Sequence, residues 1–459
     1  MTSTRRVKLE DGSSVRLRDA DPSLTLYADA HLVNQLFLRR GDGWCHSWND
    51  RPVRWFPDLE RQVIMLQGYP GDSDDVLDGL VRWRDALYGW GARIGSPAAA
   101  SSSLLRATIT GPLFLGDPFN PDRPRISSVL GGRQESYADP GVYGSFAQVD
   151  LRAAYARTLG RLVYPPGGRW VRFKGPDLPS GETLPQLVRA RVRVPPGVVP
   201  PLPRRPRYRP PGPERASQTI EYPTGRIRGL WSRGEVEMAA RAGCEVKVIE
   251  TYVLLGAHYR PFSEWWRRVK AGRSMDGYAG DLFKQVGNTL WGRFALDGIK
   301  TVDRFSDGRR ISSTLRGGFN PALGAPDLSE QVSAAVRVRL YDELIRPQAG
   351  RLIAVHTDGG LVRTPAVVPP SSGWRIKRRG RMLIFINPQV YAFSERGRGL
   401  EYVFSGISPD SVPAAFAGLC RLSLGWPPTT FGRSVAARDE ARLRALCAAL
   451  GAVEVEAAG

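Results

Sequence analysis

Cysteine, histidine and lysine are scarce in this chain. Its 459 residues include four cysteines, Cys45, Cys244, Cys420 and Cys447, with no Cys-x-x-Cys pair, and only four histidines. That argues against a disulfide framework or a zinc centre and fits a reducing cytoplasm. No run of about 18 apolar residues is present, so the sequence predicts no membrane span. The opening Met1-Thr-Ser-Thr-Arg-Arg lacks the apolar stretch of a signal peptide. Lysine supplies seven of the 65 basic residues and arginine the rest. With plentiful alanine, glycine and proline, that choice fits a GC-rich genome and a bacterial host cell. Genome composition does not explain the excess of basic over acidic residues, 65 against 45, which leaves a net charge of +20.

A chain this basic, with 42% hydrophobic residues, should fold and should meet a polyanion, nucleic acid before a membrane surface. The length allows two to four domains. Helical spacing predicts a helix over Asp75 to Tyr88, followed by a small-residue loop over Pro97 to Ser103. Residues 24–38 lean helical, and residues 53–66 look like strands around a turn. Ser145 to Val149 reads as a strand and Leu151 onward as a helix, which puts Asp150 where a helix-capping carboxylate would sit. Residues 166–222 read as broken up, with a Pro/Arg-rich extended stretch over Pro195 to Pro213. Ser232-Arg-Gly-Glu235 is a capping box opening a helix to about Gly243, and Glu245 to Leu255 is a strand. Ser263 to Arg273 is a basic helix. On the next helix, Asp281 to Phe294, Lys284, Asn288 and Trp291 share one face. A cation, an amide and an aromatic on one stripe suit a charged, flat ligand better than a core. A polar excursion, Asp297 to Asp327, precedes an amphipathic helix over Leu328 to Leu344. Strands are expected over Met382 to Ile386, Val390 to Phe393 and Glu401 to Phe404, with small helices over residues 408–459.

The stretch Arg351 to Val362 organises the rest. Apolar Leu352 to Val355, polar His356-Thr-Asp-Gly359 and apolar Leu361-Val362 form a hairpin pattern. Asp-Gly is an ordinary hairpin turn, but a carboxylate at the tip of buried strands needs a cation, a metal or a cleft.

Together these stretches resemble the polymerase motifs of family B DNA polymerases, in the correct order. They are Asp150 with Tyr155, Lys284-x-x-x-Asn288-Thr-x-Trp291-Gly, and Thr357-Asp358-Gly. Gly131-Gly132-Arg133 resembles the glycine motif of the protein-primed phage branch. The resemblance covers roughly residues 126–406 and implies an α+β right-hand fold. Its parts would be a reduced N-terminal domain at 1–125, palm at 126–165 and 328–406, insertions at 166–258 and 297–327, fingers at 259–296, and thumb at 407–459.

What it implies chemically is primer extension by dNTPs. Two Mg²⁺ ions, with Mn²⁺ as an alternative, would be held by Asp150, Asp358 and the Leu151 backbone carbonyl. Tyr155 matches a steric gate against ribonucleotides. Lys284, Asn288 and Trp291 would meet the incoming nucleotide, with one or more of Arg267, Lys270 and Arg273 adding phosphate contacts. Gly131, Gly132, Arg133, Thr357 and Tyr391 would contact DNA. Primer-template DNA and dNTPs are the implied partners, with a priming protein or other replication or mobile-element proteins beside them, and no membrane.

Several positions depart from the pattern. His356 replaces the first Asp of Asp-Thr-Asp, Gly359 replaces Ser, and Gln389 replaces the Lys of Lys-x-Tyr. Of the proofreading carboxylates, only Asp58-Leu-Glu60 hints at one, so no 3′–5′ exonuclease is expected. Two alternatives stand beside template-directed DNA synthesis: an inactive polymerase-shaped nucleic-acid-binding protein, and a primase-like or template-independent polymerase.

Overall fold

The computed structural model describes residues 73–93, 97–109, 122, 124, 126, 129–175, 185–204, 220–257, 259–295, 324–368, 373–395 and 400–404. It also places backbone strands at 6–8, 14–16, 38–40, 43–48, 51–54, 299–306 and 309–317. Asp58-Leu-Glu60, most of 24–38 and 53–66, the Pro/Arg residues 205–219, and 405–459 lie outside the described residues.

In chain order, α1 (Ser73–Gly89) and α2 (Pro97–Thr108) come first. Then follow β1 (Arg133–Ser136), β2 (Gly141–Tyr143), β3 (Phe146–Leu151) and α3 (Ala154–Arg161). Next are β4 (Arg169–Lys174), β5 (Gln186–Val194), β6 (Gly225–Ser232), α4 (Arg233–Arg241) and β7 (Glu245–Leu255). Helices α5 (Ser263–Arg273), α6 (Tyr278–Phe294) and α7 (Pro326–Arg339) follow. The chain continues through β8 (Leu352–Thr357), β9 (Gly359–Arg363), β10 (Trp374–Gly380), β11 (Met382–Asn387), β12 (Val390–Ser394) and β13 (Leu400–Phe404).

The central sheet is antiparallel, with order β10-β3-β9-β8-β1. Both of its faces are covered. Val149, Leu151, Val355 and Val362 join the helical core, while Phe146, Ile353 and Leu361 pack against Leu383, Phe385 and Phe393 of the second sheet, β13-β12-β11-β2. A strand buried on both faces needs a continuous apolar run rather than alternation, which is why Leu352 to Val355 are all apolar. A third sheet, β6-β5-β7-β4, occupies the insertion. Helix α6 packs on α1, α2, α3, α5 and α7. No helix among the described residues is long and apolar enough to cross a membrane.

Three local expectations need correction. Pro97 to Ser103 is the start of helix α2, not a loop. Proline is tolerated at a first helical turn, alanine favours the helix, and Ala100, Leu104 and Leu105 are buried. The Ser101 hydroxyl donates to the Val286 carbonyl, 2.8 Å, which docks α2 on α6. Residues 166–222 are not broken throughout, because β4 and β5 lie within them. Asp150 caps no helix: it lies inside β3, and the N-cap of α3 is Ala153, left-handed at φ 52° with no side-chain cap. The Ser232–Glu235 capping box does form.

One buried ion network ties the insertion to the central sheet. Arg337 on α7 is 1% exposed. It donates to Glu235 Oε1 at 2.8 Å, to Glu330 Oε1 at 2.5 Å, and to the carbonyls of Leu130 and Gly131 at 2.6 and 2.8 Å. Burial works against the guanidinium charge, but the two carboxylates outweigh it and the net shift is upward. The Gly131-Gly132 loop is thereby pinned to α4 and α7.

Candidate active site

Asp150 and Asp358 come together through strand register. Asp150 stands opposite Gly359 on β9, and the Leu151 N–H donates to the Asp358 carbonyl, 2.9 Å. The hairpin tip is strained. Thr357 takes φ 31°, which a β-branched residue rarely adopts and which costs of order 1–3 kcal/mol. Its hydroxyl donates to Asp358 Oδ1 at 3.1 Å. Gly359 cannot carry a side chain here, since a Cβ would sit 2.3 Å from the Val149 carbonyl oxygen.

Burial and then the Asp150 charge push the Asp358 carboxyl up from 3.8 to about 6. Burial holds the His356 imidazole down at about 4, so it is neutral at pH 7 and brings no positive charge to the two carboxylates. Among the described residues its Nε2 has no hydrogen-bond partner. No group of three or more His, Cys, Asp or Glu suited to a metal occurs among the described residues.

The raised Asp358 value has a definite sign. Below pH 3.8 the carboxyl is protonated in the folded and unfolded chain alike. Between about 4 and 6 the unfolded chain ionises first, so folding loses stability there, and the loss persists at higher pH. In a chelator-containing buffer, Asp358→Asn is therefore expected to be more stable than wild type at pH 8, by about 3 kcal/mol at most. The two should converge near pH 4. Denaturant titrations at the two pH values check this.

Two cations flank the carboxylates. Arg375 on β10, directly across from Asp150, donates from Nε and Nη2 to its Oδ2 at 3.1 and 3.0 Å. Arg273, at the end of α5, has its Nη1 buried without a partner among the described residues. Burial, then Arg375, pull its guanidinium down, and Asp150 partly offsets them. Of the three phosphate-contact candidates on α5, Arg273 is thus the one beside Asp150. Arg267 is exposed and held by Glu264 at 2.6 Å, and Lys270 is exposed. In the sequence, Arg375-Ile-Lys-Arg-Arg-Gly-Arg381 stands out only as a basic run. The signal for Arg375 was its place on a strand flanking β3, which needs the sheet order.

The remaining expected residues divide. Tyr155 is buried and its ring stacks on Trp291, centroids 4.3 Å apart at 13°, which joins α3 to α6. Lys284 and Asn288 are exposed on the same helix. A Cβ on Gly132 would lie 2.4 Å from the Tyr155 hydroxyl and 2.9 Å from Thr357 Cβ, so that glycine permits close approach of its loop to the Tyr155 ring and the hairpin tip.

Two residues expected to touch DNA do not face solvent. Arg133 is 1% exposed, bonded to Glu135 at 2.5 Å and lying 3.8 Å from the Tyr222 ring centroid. Tyr391 is 3% exposed, with its ring 5.5 Å from His356. Arg133 is buried among Glu135 and aromatic rings, and Tyr391 lies in the core between the two sheets, on a strand buried at every position. Gln389 bonds Gln134 at 2.8 Å.

No protein-family model and no curated protein sequence matches this chain. Solved structures do. Phi29 DNA polymerase complexed with primer-template DNA, in a post-translocation binary complex, superposes with a TM-score of 0.54 at 13% identity, covering 82% of this chain and 71% of that one. The same polymerase complexed with single-stranded DNA gives 0.53 at 14%, covering 73% and 63%. A ternary complex of that polymerase gives a TM-score of 0.48 at 15% identity, with this chain spanning about half of its length, 54%. At such identities the likeness is one of fold: mixed helices and antiparallel sheets, with DNA polymerases as the structural neighbours.

Proposed function

We propose that this chain is a template-directed DNA polymerase that adds dNTPs to a primer 3′-OH by phosphoryl transfer, without proofreading. The observation that carries it is the meeting of Asp150 and Asp358 across β3 and β9. Two like charges forced together, one of them largely buried, are an unfavourable pair that a cation relieves. An all-oxygen donor set, completed by phosphate and water, suits Mg²⁺. Asp150, Asp358 and the Leu151 carbonyl would hold the ions. When bound, Mg²⁺ supplies charge neutralisation at the attacking and leaving oxygens.

The chain's own residues do the positioning. Lys284 offers the triphosphate a point charge and Asn288 an amide, and Arg273 brings a guanidinium with an unspent donor. Tyr155, braced by Trp291, forms a wall where a ribose 2′-OH would go. Tyr155→Ala is expected to raise ribonucleotide incorporation relative to dNTPs by about 10- to 100-fold, measured as the ratio of kcat/KM values. Strong ribonucleotide use by wild type would favour the primase-like alternative.

A second reading, nucleic-acid binding without catalysis, is favoured by one observation: the Arg375 fork takes Asp150 Oδ2 lone pairs that a metal would need. Primer extension separates the two. A labelled primer on a longer template, with dNTPs and Mg²⁺, is expected to yield full-length product dictated by the template. DNA binding with no extension would overturn the proposal in favour of the second reading. A mismatched primer 3′ end is expected to stay untrimmed, and metal-dependent trimming would remove the claim about proofreading.

A further inference from the structure

Asp150 Oδ2 already has a cation. Arg375 reaches it from the neighbouring strand with two donors, Nε at 3.1 Å and Nη2 at 3.0 Å. Strand register makes this contact. Asp150 on β3 lies between Gly359 of β9 and Arg375 of β10, and residues directly opposed across strands share one face of a sheet. The two partners differ in exposure: the Asp150 side chain is 16% exposed and that of Arg375 is 41% exposed. A carboxylate this deeply set needs a counter-charge, whereas a guanidinium open to water is rehydrated when it leaves. Asp150 therefore depends on having a cation near it, but not on that cation being Arg375.

Other charges stand close by. Asp358 is near enough to feel Asp150 and Lys377, and Arg273 feels both Arg375 and Asp150. Two carboxylates thus meet three basic side chains. Among the described residues, Arg375 alone of the three bonds Asp150.

We propose that Arg375 is an internal counter-cation of the Asp150–Asp358 pair: it holds Asp150 Oδ2 until a divalent cation binds and then gives it up, so that metal loading is a competition between the two. The competition presupposes the cation site proposed above for these carboxylates. It adds a side chain of this chain that sets how tightly that site holds metal. Ion pairs with an exposed partner contribute little to stability, so the fork weakens metal binding without abolishing it. A fork that never opens is what binding without catalysis would require.

The test is Mn²⁺ binding to the full chain at pH 8, without nucleotide or DNA, followed by electron paramagnetic resonance. Arg375→Gln is expected to bind Mn²⁺ about 5- to 50-fold more tightly than wild type. Arg379→Gln is the control, with the same charge change on the same strand. Arg379 stands opposite Ala147, roughly 10 Å further along and beyond the screening length of about 8 Å, so its variant should stay within about twofold of wild type. Thermal unfolding is the second readout. In chelator, Arg375→Gln should melt below wild type, because Asp150 loses its counter-charge. In saturating Mn²⁺ the gap should close, since tighter binding to the folded form stabilises it more. A gap that Mn²⁺ leaves unchanged would make Arg375 a structural brace and overturn the proposal. So would equal Mn²⁺ affinity in wild type and Arg375→Gln, or an equal gain in Arg379→Gln. Binding by Arg375→Gln alone would overturn it too, by showing a fork that does not open. No saturable binding by any of the three proteins would remove the cation site itself, and the competition with it.

Discussion

Asp358→Asn is expected to reduce primer extension by about 1,000-fold or more while leaving DNA affinity close to wild type. The side chain is isosteric, so the hairpin tip keeps its shape and Thr357 keeps an acceptor. What goes is the negative charge opposite Asp150. Charge stabilisation by a metal at a phosphoryl group is worth several kcal/mol, and each 1.36 kcal/mol is a factor of ten in rate. Asp150→Asn should have the same effect by the same route. It also releases Arg375, whose fork rests on Asp150 Oδ2. Single-turnover extension, with a parallel binding titration, measures both quantities. If either variant keeps extension within tenfold of wild type, that carboxylate does not hold the metals.

The largest stability effect should come from Arg337. Replacing it by Gln leaves Glu235 and Glu330, 0% and 4% exposed as side chains, without their cation. Breaking a buried pair in this way costs about 3–5 kcal/mol. Converting all three, as Arg337→Met, Glu235→Leu and Glu330→Leu, should recover most of the loss, since well-packed apolar groups often match a buried ion network. Exposed Arg267→Gln, which removes a surface pair with Glu264, should stay within about 1 kcal/mol of wild type. Urea denaturation of the four proteins checks the order. An Arg337→Gln protein as stable as wild type would mean that the network is not what holds the Gly131-Gly132 loop.

Local signals carried much of the fold. Helix α5 and strand β7 have the bounds their sequences indicate, because a helical stripe and a β-branched alternation are each complete within the segment. The hairpin was legible because glycine, aspartate and apolar flanks all favour the same turn. Strand β5, Gln-Leu-Val-Arg-Ala-Arg-Val-Arg-Val, alternates as clearly, but the prolines after it dominate a reading by composition. Helix α2 was hidden by small residues, whose burial against α6 is a tertiary fact.

The site was legible at the level of which residues carry charge, less so at the level of which way they point. Asp150, Asp358, Tyr155 and Trp291 meet as their order suggests. Arg133 and Tyr391 look like surface contacts in the sequence, yet packing against neighbouring sheets and rings buries both. Arg375 was missed because its importance comes from standing across from Asp150, a neighbour 225 positions away.

Manganese titration followed by electron paramagnetic resonance tests the central claim most directly. The sample is the protein with dNTP and a chain-terminated primer-template at pH 8. Wild type should bind two Mn²⁺, and the Asp150→Asn and Asp358→Asn proteins should each bind fewer, or at least tenfold more weakly. Unchanged stoichiometry and affinity in both variants, or no saturable binding in wild type, would contradict a shared divalent-cation site between these two carboxylates.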